Sequence, residues 1–435
     1  MSAATTATAA TATTAKAVAH IALLRLATAG SVDDGKSTLI GRLLHDSSAL
    51  FDDQLAAVAD SSRRRGHDGI DLSLFTDGLR AEREQGITID VAYRYFATPV
   101  RSFVIADTPG HAQYTRNMVT GASTADLAVI LADVQGGLTE QSRRHACVAS
   151  LLGIRQVVLA VNKMDLVDFS ESAFDEIVDA FLGFAAGLEL DSVTPIPISA
   201  LLGDNVVEPS TTMPWYGGPT LLGHLERASI GVAPGGAGGA RLPVQWVHRA
   251  GPGRPRGSRA YSGMLAGGVL RPGDEVLVLP SGARTTIASL STFDGPLAEA
   301  TPTMSVTVGL ADDLDVGRGN MIVHADAPAT VTRDVEAVVC WLDDRPARPG
   351  ARYLLKHTTR STRAVLREVV NAIDVNSLVA SPATSLASND LGVVRLSTAD
   401  ALAVDAYADN RTTGSFILID ESTHATVAAG MVARP

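Results

Sequence analysis

The sequence predicts an α/β domain, a mostly parallel sheet with helices on both faces, followed by two all-β barrel domains. Three observations predict it. Over residues 22–232 short apolar runs alternate with longer amphipathic stretches, the pattern of parallel strands joined by crossover helices. The stretch APGGAGGA at 233–240 then interrupts the pattern with glycine, as a break between domains does. Beyond it, short apolar runs are divided by turn signals, among them RPGDEV (271–276), LPSGAR (279–284) and DVGRGN (315–320), which is how β-barrels read.

The elements follow in order. Residues 1–21 are rich in Ala and Thr and lack both a basic leader and a continuous apolar run, so they are expected to be a disordered tail rather than a signal peptide. Strands are expected at 25–30, 103–107, 127–133, 157–162 and 194–199, nearly uniformly apolar because helices cover both faces. Each ends at a polar residue, and open α/β sheets bind ligands beyond the carboxyl ends of their strands. A first barrel is assigned to 241–330 and a second to 331–435. The segment HADAPATVTRD (324–334) marks their join, and VEAVVCWL, RYLLKH, GVVRLS and SFILID are the expected strands of the second.

Composition agrees with this plan. A chain of 435 residues exceeds what one hydrophobic core usually supports. With 46% hydrophobic and 19% charged residues it has the material for several cores. Lys and Arg number 36 against 47 Asp and Glu, a net charge of -11, the wrong sign for gripping nucleic acid over a broad surface. The apolar runs at 127–132 and 157–161 are strand-length, far short of the roughly 18 residues of a membrane span. A soluble, cytoplasmic protein is therefore expected. Cys147 and Cys340 stand too far apart to suggest a metal site or a disulfide framework, and are expected to be small core residues.

The chemistry lies at the strand ends. Gly30, Ser31, Val32, Asp33, Asp34, Gly35, Lys36 and Ser37 match G-x-x-x-x-G-K-[ST] directly after an apolar strand, and a helical pattern begins at Thr38. In such a P-loop the backbone amides face phosphates, Lys36 reaches the β/γ oxygens, and the Ser37 hydroxyl binds Mg²⁺. Asp107, Thr108, Pro109, Gly110 and His111 follow the next strand. There Asp107 can hold Mg²⁺ through water, the Gly110 amide can meet a γ-phosphate, and His111 can place the attacking water. Asn162, Lys163, Met164 and Asp165 end another strand. The Asp165 carboxylate can accept both N1–H and the N2 amino group of guanine, a donor pair adenine lacks. Ser199, Ala200 and Leu201 close the set, with the Ala200 amide positioned for guanine O6. Between the first two motifs, Thr88 in REQGITID is a candidate second hydroxyl ligand of Mg²⁺; taken alone, a threonine in GITID reads first as a strand residue.

Together these motifs resemble the GTPases of the elongation factor Tu and elongation factor 1-alpha class, in which a GTP-binding domain precedes two β-barrels. Within that class, DGLRAEREQGITIDVAYRYF, IADTPGHAQYTRNMVTGAS, ISALLGDNVV, MPWYGGPTLL and NRTTGSFILID resemble the large GTP-binding subunits of heterodimeric bacterial ATP sulfurylases. The likeness runs from about Leu24 to the carboxyl terminus. Ala112 departs from it, standing where the family usually has Glu, and SSRRRGHDG (61–69) is particular to this chain. The resemblance implies a GTPase with GTP and Mg²⁺ as cofactors, with His111, Lys36 and Thr88 in the hydrolytic step. It also implies coupling to the formation of adenylyl sulfate and pyrophosphate from ATP and sulfate on a separate small subunit. An alternative is a translational GTPase delivering aminoacyl-tRNA to the ribosome, for which ribosome stimulation is the discriminator. A fused adenylylsulfate kinase would need a second P-loop after the barrels, and none is expected up to MVARP.

Overall fold

The computed structural model describes residues 23–47, 72, 90–110, 115–229, 239–249 and 259–434. The expected tail, the SSRRRGHDG segment and most of the Gly-rich break lie outside them. The first sheet is built from β1 (Leu23–Ala29), β2 (Ala92–Ala97), β3 (Ser102–Asp107), β4 (Leu127–Asp133), β5 (Gln156–Asn162) and β6 (Ser192–Pro197), in the order β2-β3-β1-β4-β5-β6. Every pairing is parallel except that of β2 with β3. Because β1 is flanked by β3 on one side and β4 on the other, the chain leaves it at the switch point where open sheets form a ligand crevice.

β2 has no counterpart among the expected strands. Its alternation leaves Tyr93 and Tyr95 exposed while Phe96 is buried and stacks on Phe103, ring centroids 4.5 Å apart. An antiparallel edge strand wet on one face lacks the uniform apolarity by which the buried strands are found.

Helices cover both faces. On one side α1 (Lys36–Asp46) packs Leu39, Ile40 and Leu43 against Leu24 and Leu26 of β1. On the other, α2 (Thr115–Ala122), α3 (Glu140–Leu151) and α4 (Glu171–Ala185) bury Met118, Ala146, Phe174 and Phe181 over Ala27, Ile130 and Leu159. α5 (Leu221–Arg227) returns to the first side. The caps of α3, α4 and α5 are Thr139, Ser170 and Thr220, each accepting a first-turn amide, worth roughly 1 kcal/mol apiece. α1 differs: its cap is Gly35 in the left-handed region, with no side-chain bond to the first-turn amides.

Two antiparallel sheets follow, of eight strands between Arg241 and His324 and seven between Thr330 and Arg434 among the described residues. In the third sheet Arg352–His357 pairs with both Ser415–Ile419 and Arg360–Ile373, closing a six-stranded barrel. The expected strands of this barrel are present. The expected set lacked two others, Arg360–Ile373 and Thr426–Arg434. In the second sheet, Gly273, Gly282 and Gly319 all adopt positive φ within the three turn strings found in the sequence, as tight β-turns require. The third sheet also packs on the first domain: Cys340, Leu342, Leu391 and Met431 join Cys147, Val148 and Leu152 in one cluster. Both cysteines are buried and free. Among the described residues no helix is long and apolar enough to cross a membrane.

Candidate nucleotide site

The loop after β1 turns on two glycines. Gly30 has φ 149° and Gly35 has φ 92°, values that L side chains avoid. A Cβ on Gly30 would lie 2.9 Å from the Leu131 carbonyl oxygen, and one on Gly35 would lie 2.4 Å from Asn162 Nδ2. Side chains then tie the loop down. The Ser31 amide donates to Asp34 Oδ2 at 2.5 Å, and Asn162 Nδ2 donates to the Asp34 carbonyl at 2.8 Å. Burial raises the pKa of Asp34, opposed by the Ser31 amide and the Lys36 charge.

Lys36 begins α1 and is 6% exposed. Its ammonium donates to the carbonyl oxygens of Gly30 at 3.0 Å and Ser31 at 2.6 Å. Burial lowers its pKa, with Asp107, Asp34 and Asp33 opposing. A desolvated cation at an uncapped helix start is suited to a multiply charged anion, which restores both the lost solvation and the missing amide partners.

β3 delivers the second motif to the same point. Asp107 is buried and accepts a 3.4 Å bond from Thr28 Oγ1, while Thr108 Oγ1 donates to the Thr28 carbonyl at 2.6 Å. Gly110 lies directly over the P-loop, where a Cβ would meet Lys36 Nζ at 2.6 Å and the Gly30 carbonyl at 3.0 Å. Ser37 in the first turn of α1 and Asp107 at the end of β3 supply one hydroxyl and one carboxylate. These are hard oxygen donors of the kind Mg²⁺ takes alongside phosphate oxygens and water. Thr88 and His111, like Ala112, lie outside the described residues.

The third and fourth motifs form a separate patch fastened to the P-loop. Asn162 at the end of β5 bridges it: besides the bond to Asp34, its Oδ1 accepts the Ala200 amide at 2.9 Å. The Ala200 amide expected to meet guanine O6 is thus engaged in holding SAL to NKMD. Lys163 has φ 65° and reaches Asp133 at the end of β4, Nζ to Oδ2 2.7 Å. Asp165 accepts Ser199 Oγ at 2.6 Å, which fixes its carboxylate plane. Arg42, from the second turn of α1, donates to the carbonyls of Ala200 and Leu201. Sequence reasoning missed Arg42, Asp133 and Thr28, because each acts on residues remote in the chain and belongs to no local pattern.

The fold and this site define a P-loop GTP-binding protein of the elongation factor Tu class. Residues 22–233 match the family described as the elongation factor Tu GTP binding domain, and residues 334–433 match the GTP-eEF1A C-terminal domain-like family. Among known proteins, the chain is similar to the bifunctional enzyme CysN/CysC of Mycobacterium tuberculosis H37Rv, 57% identical over 95% of this chain and 67% of that one. It is likewise similar to sulfate adenylyltransferase subunit 1 of Methylorubrum extorquens PA1, 52% identical over 95% of this chain and 87% of that one. The chain belongs to the sulfate adenylyltransferase subunit 1 family. A solved structure of Sup35 complexed with GMPPNP is 22% identical, with TM-score 0.43, over 95% of this chain and 94% of that one.

Proposed function

We propose that this chain is the regulatory GTPase subunit of a sulfate adenylyltransferase. In this reading GTP hydrolysis drives adenylyl sulfate and pyrophosphate formation from ATP and sulfate on a separate small subunit in the cytoplasm. The observation that carries it is the convergence of Lys36, Asp107 and Gly110 on one point, with the guanine-reading patch bolted to the same loop through Asn162. Family membership supplies the adenylyl-transfer half.

The chain's own residues divide the work. The P-loop amides of residues 32–38 and Lys36 bind and charge-stabilise the β- and γ-phosphates, while the Gly30 and Ser31 amides hold the loop itself through His145 and Asp34. Ser37, Thr88 and Asp107 would hold Mg²⁺, which would supply positive charge to neutralise the phosphates. Asp165, kept in plane by Ser199, reads the guanine N1–H and N2 amino group, and Lys163 and Met164 shape the base site beside it. Gly110, with Thr108 and Pro109 setting its approach, senses the γ-phosphate, and His111 places the attacking water. The bounds 22–232, 241–330 and 331–435 serve as the domain limits of this reading. Sulfate adenylylation then needs a partner that distinguishes the two switch states, since a ligand shifts an equilibrium only by its differential affinity.

The test is to purify the chain with its co-purifying small subunit and assay adenylyl sulfate with and without GTP. The expected outcome is GTP-dependent product from the pair, and slow GTP hydrolysis with no adenylylation from this chain alone. His111→Ala should keep GTP affinity and lose about 10²–10⁴ in hydrolysis rate. Turnover stimulated by ribosomes, with no response to the small subunit, would establish the translational reading instead.

A further inference from the structure

His145 lies in the middle of α3, fully enclosed beneath the P-loop, and no nucleotide motif contains it. Its Nδ1 accepts the Gly30 amide at 3.0 Å. This bond turns the Gly30 N–H toward the buried face of α3. A buried amide needs an acceptor, and the chain supplies one from 115 residues away. With Nδ1 accepting, the ring carries its proton on Nε2. Gln141, one turn earlier on the same helix face, has its Nε2 placed 2.7 Å from that atom; two N–H groups cannot bond each other, so the amide is assigned the flipped orientation in which its oxygen accepts from His145 Nε2. Burial, then the nearby charges of Lys36 and Arg144, push the imidazole down to about 3, so Nδ1 stays an acceptor throughout the physiological range.

The same glycine is held from its other side. Its carbonyl accepts Lys36 Nζ at 3.0 Å, and Gly110 packs over that oxygen. One residue therefore links α3, the P-loop lysine and the second nucleotide motif. We propose that His145 is a positioning residue of the nucleotide site: by accepting the Gly30 amide it fixes the loop conformation that aims the remaining amides and Lys36 at the phosphates. It touches no reacting atom. This rests on the guanine-nucleotide reading above and names a determinant of that site.

The test uses the full chain with His145→Asn, His145→Gln and His145→Ala, titrated with a fluorescent GTP analogue and followed by thermal melting. Asn carries its oxygen close to where Nδ1 lies, whereas Gln carries it toward Nε2. The Ala and Gln variants are expected to bind about 10-fold more weakly, as for a buried donor left without an acceptor, and the Asn variant to stay within about 3-fold of the unmodified chain. If the Ala variant does not fold, the Asn and Gln pair decides alone. The proposal is overturned if all variants bind as the unmodified chain does, or if Asn falls as far as Gln, since packing rather than acceptor placement would then matter. Failure of the unmodified chain to bind the analogue would overturn the nucleotide reading itself, a result distinct from equal behaviour of Asn and Gln.

Discussion

At the P-loop the buried charge of Lys36 is met by neutral backbone carbonyls, whereas in the loop spanning 405–414 a buried charge is met by an ion pair. Lys36 is enclosed and, among the described residues, donates to two carbonyl oxygens, and burial outweighs its neighbouring carboxylates. Arg241 is as deeply buried, yet it grips Asp405 through two bonds of 2.9 Å and donates to the carbonyls of Gly239, Ala240 and Ala327. Thr413 Oγ1 closes on the same carboxylate at 2.5 Å. The loop then reaches every sheet: Asn410 Nδ2 donates to the Ala266 carbonyl, Arg411 to the Ser123 and Ala125 carbonyls behind α2, and Tyr407 Oη to the Leu152 carbonyl after α3. A self-satisfied network fixes how parts sit; a buried cation on neutral carbonyls stores affinity for an anionic ligand.

Breaking each network should therefore show in a different measurement. The largest effect belongs to Asp165→Asn. Two charge-assisted bonds of roughly 1.5–3 kcal/mol each are lost or inverted, so GTP affinity should fall by about 10²–10⁴ and xanthosine triphosphate should be preferred. Melting of the unliganded chain should hardly move. Unchanged GTP affinity in a nucleotide titration would remove Asp165 from the site.

Asp405→Ala should do the reverse. It strands a buried guanidinium, which costs about 3–5 kcal/mol, read as a lower midpoint in denaturant, while GTP affinity of the folded protein changes little. A large loss of affinity with intact stability would show that the two networks are not separate.

Acid should weaken both regions together. His145 and His357 are buried with lowered pKa values; desolvation is the main cause in each, and for His357 the Thr413 carbonyl, 2.8 Å from Nε2, opposes it. Below the ordinary value of 6.5 the unfolded chain takes up protons that the folded chain refuses. Stability is thus intact above pH 6.5 and is lost as pH falls, for His145 by about 1.4 kcal/mol per unit until about pH 3. Denaturant midpoints from pH 7 to 5 check this, and His145→Asn should flatten the slope.

The smallest effect is expected from Tyr407→Phe, which removes the 2.7 Å bond to Leu152 at about 0.5–1.5 kcal/mol. A small drop in the denaturant midpoint checks it, and an unchanged midpoint would show that this bond adds nothing to the packing of the 405–414 loop on the first domain.

What the sequence by itself determined is everything written in a few consecutive residues. The uniformly apolar strands, the P-loop that must follow β1, the glycines that must turn at positive φ, and the NKMD turn after β5 are local demands of backbone geometry, and spacing records them. The edge strand β2 escaped because its outward tyrosines break the apolar run. The barrel-closing strand Arg360–Ile373 escaped because Arg363, Arg367 and Glu368 place charge on its exposed face. Only the tertiary structure decided that Asn162 would fasten SAL to the P-loop, that Arg241 would meet Asp405 across 164 residues, and that a histidine in α3 would receive the first glycine amide. Those pairings answer to which groups packing leaves buried and unpaired, a condition that exists only once the sheets and helices have come together.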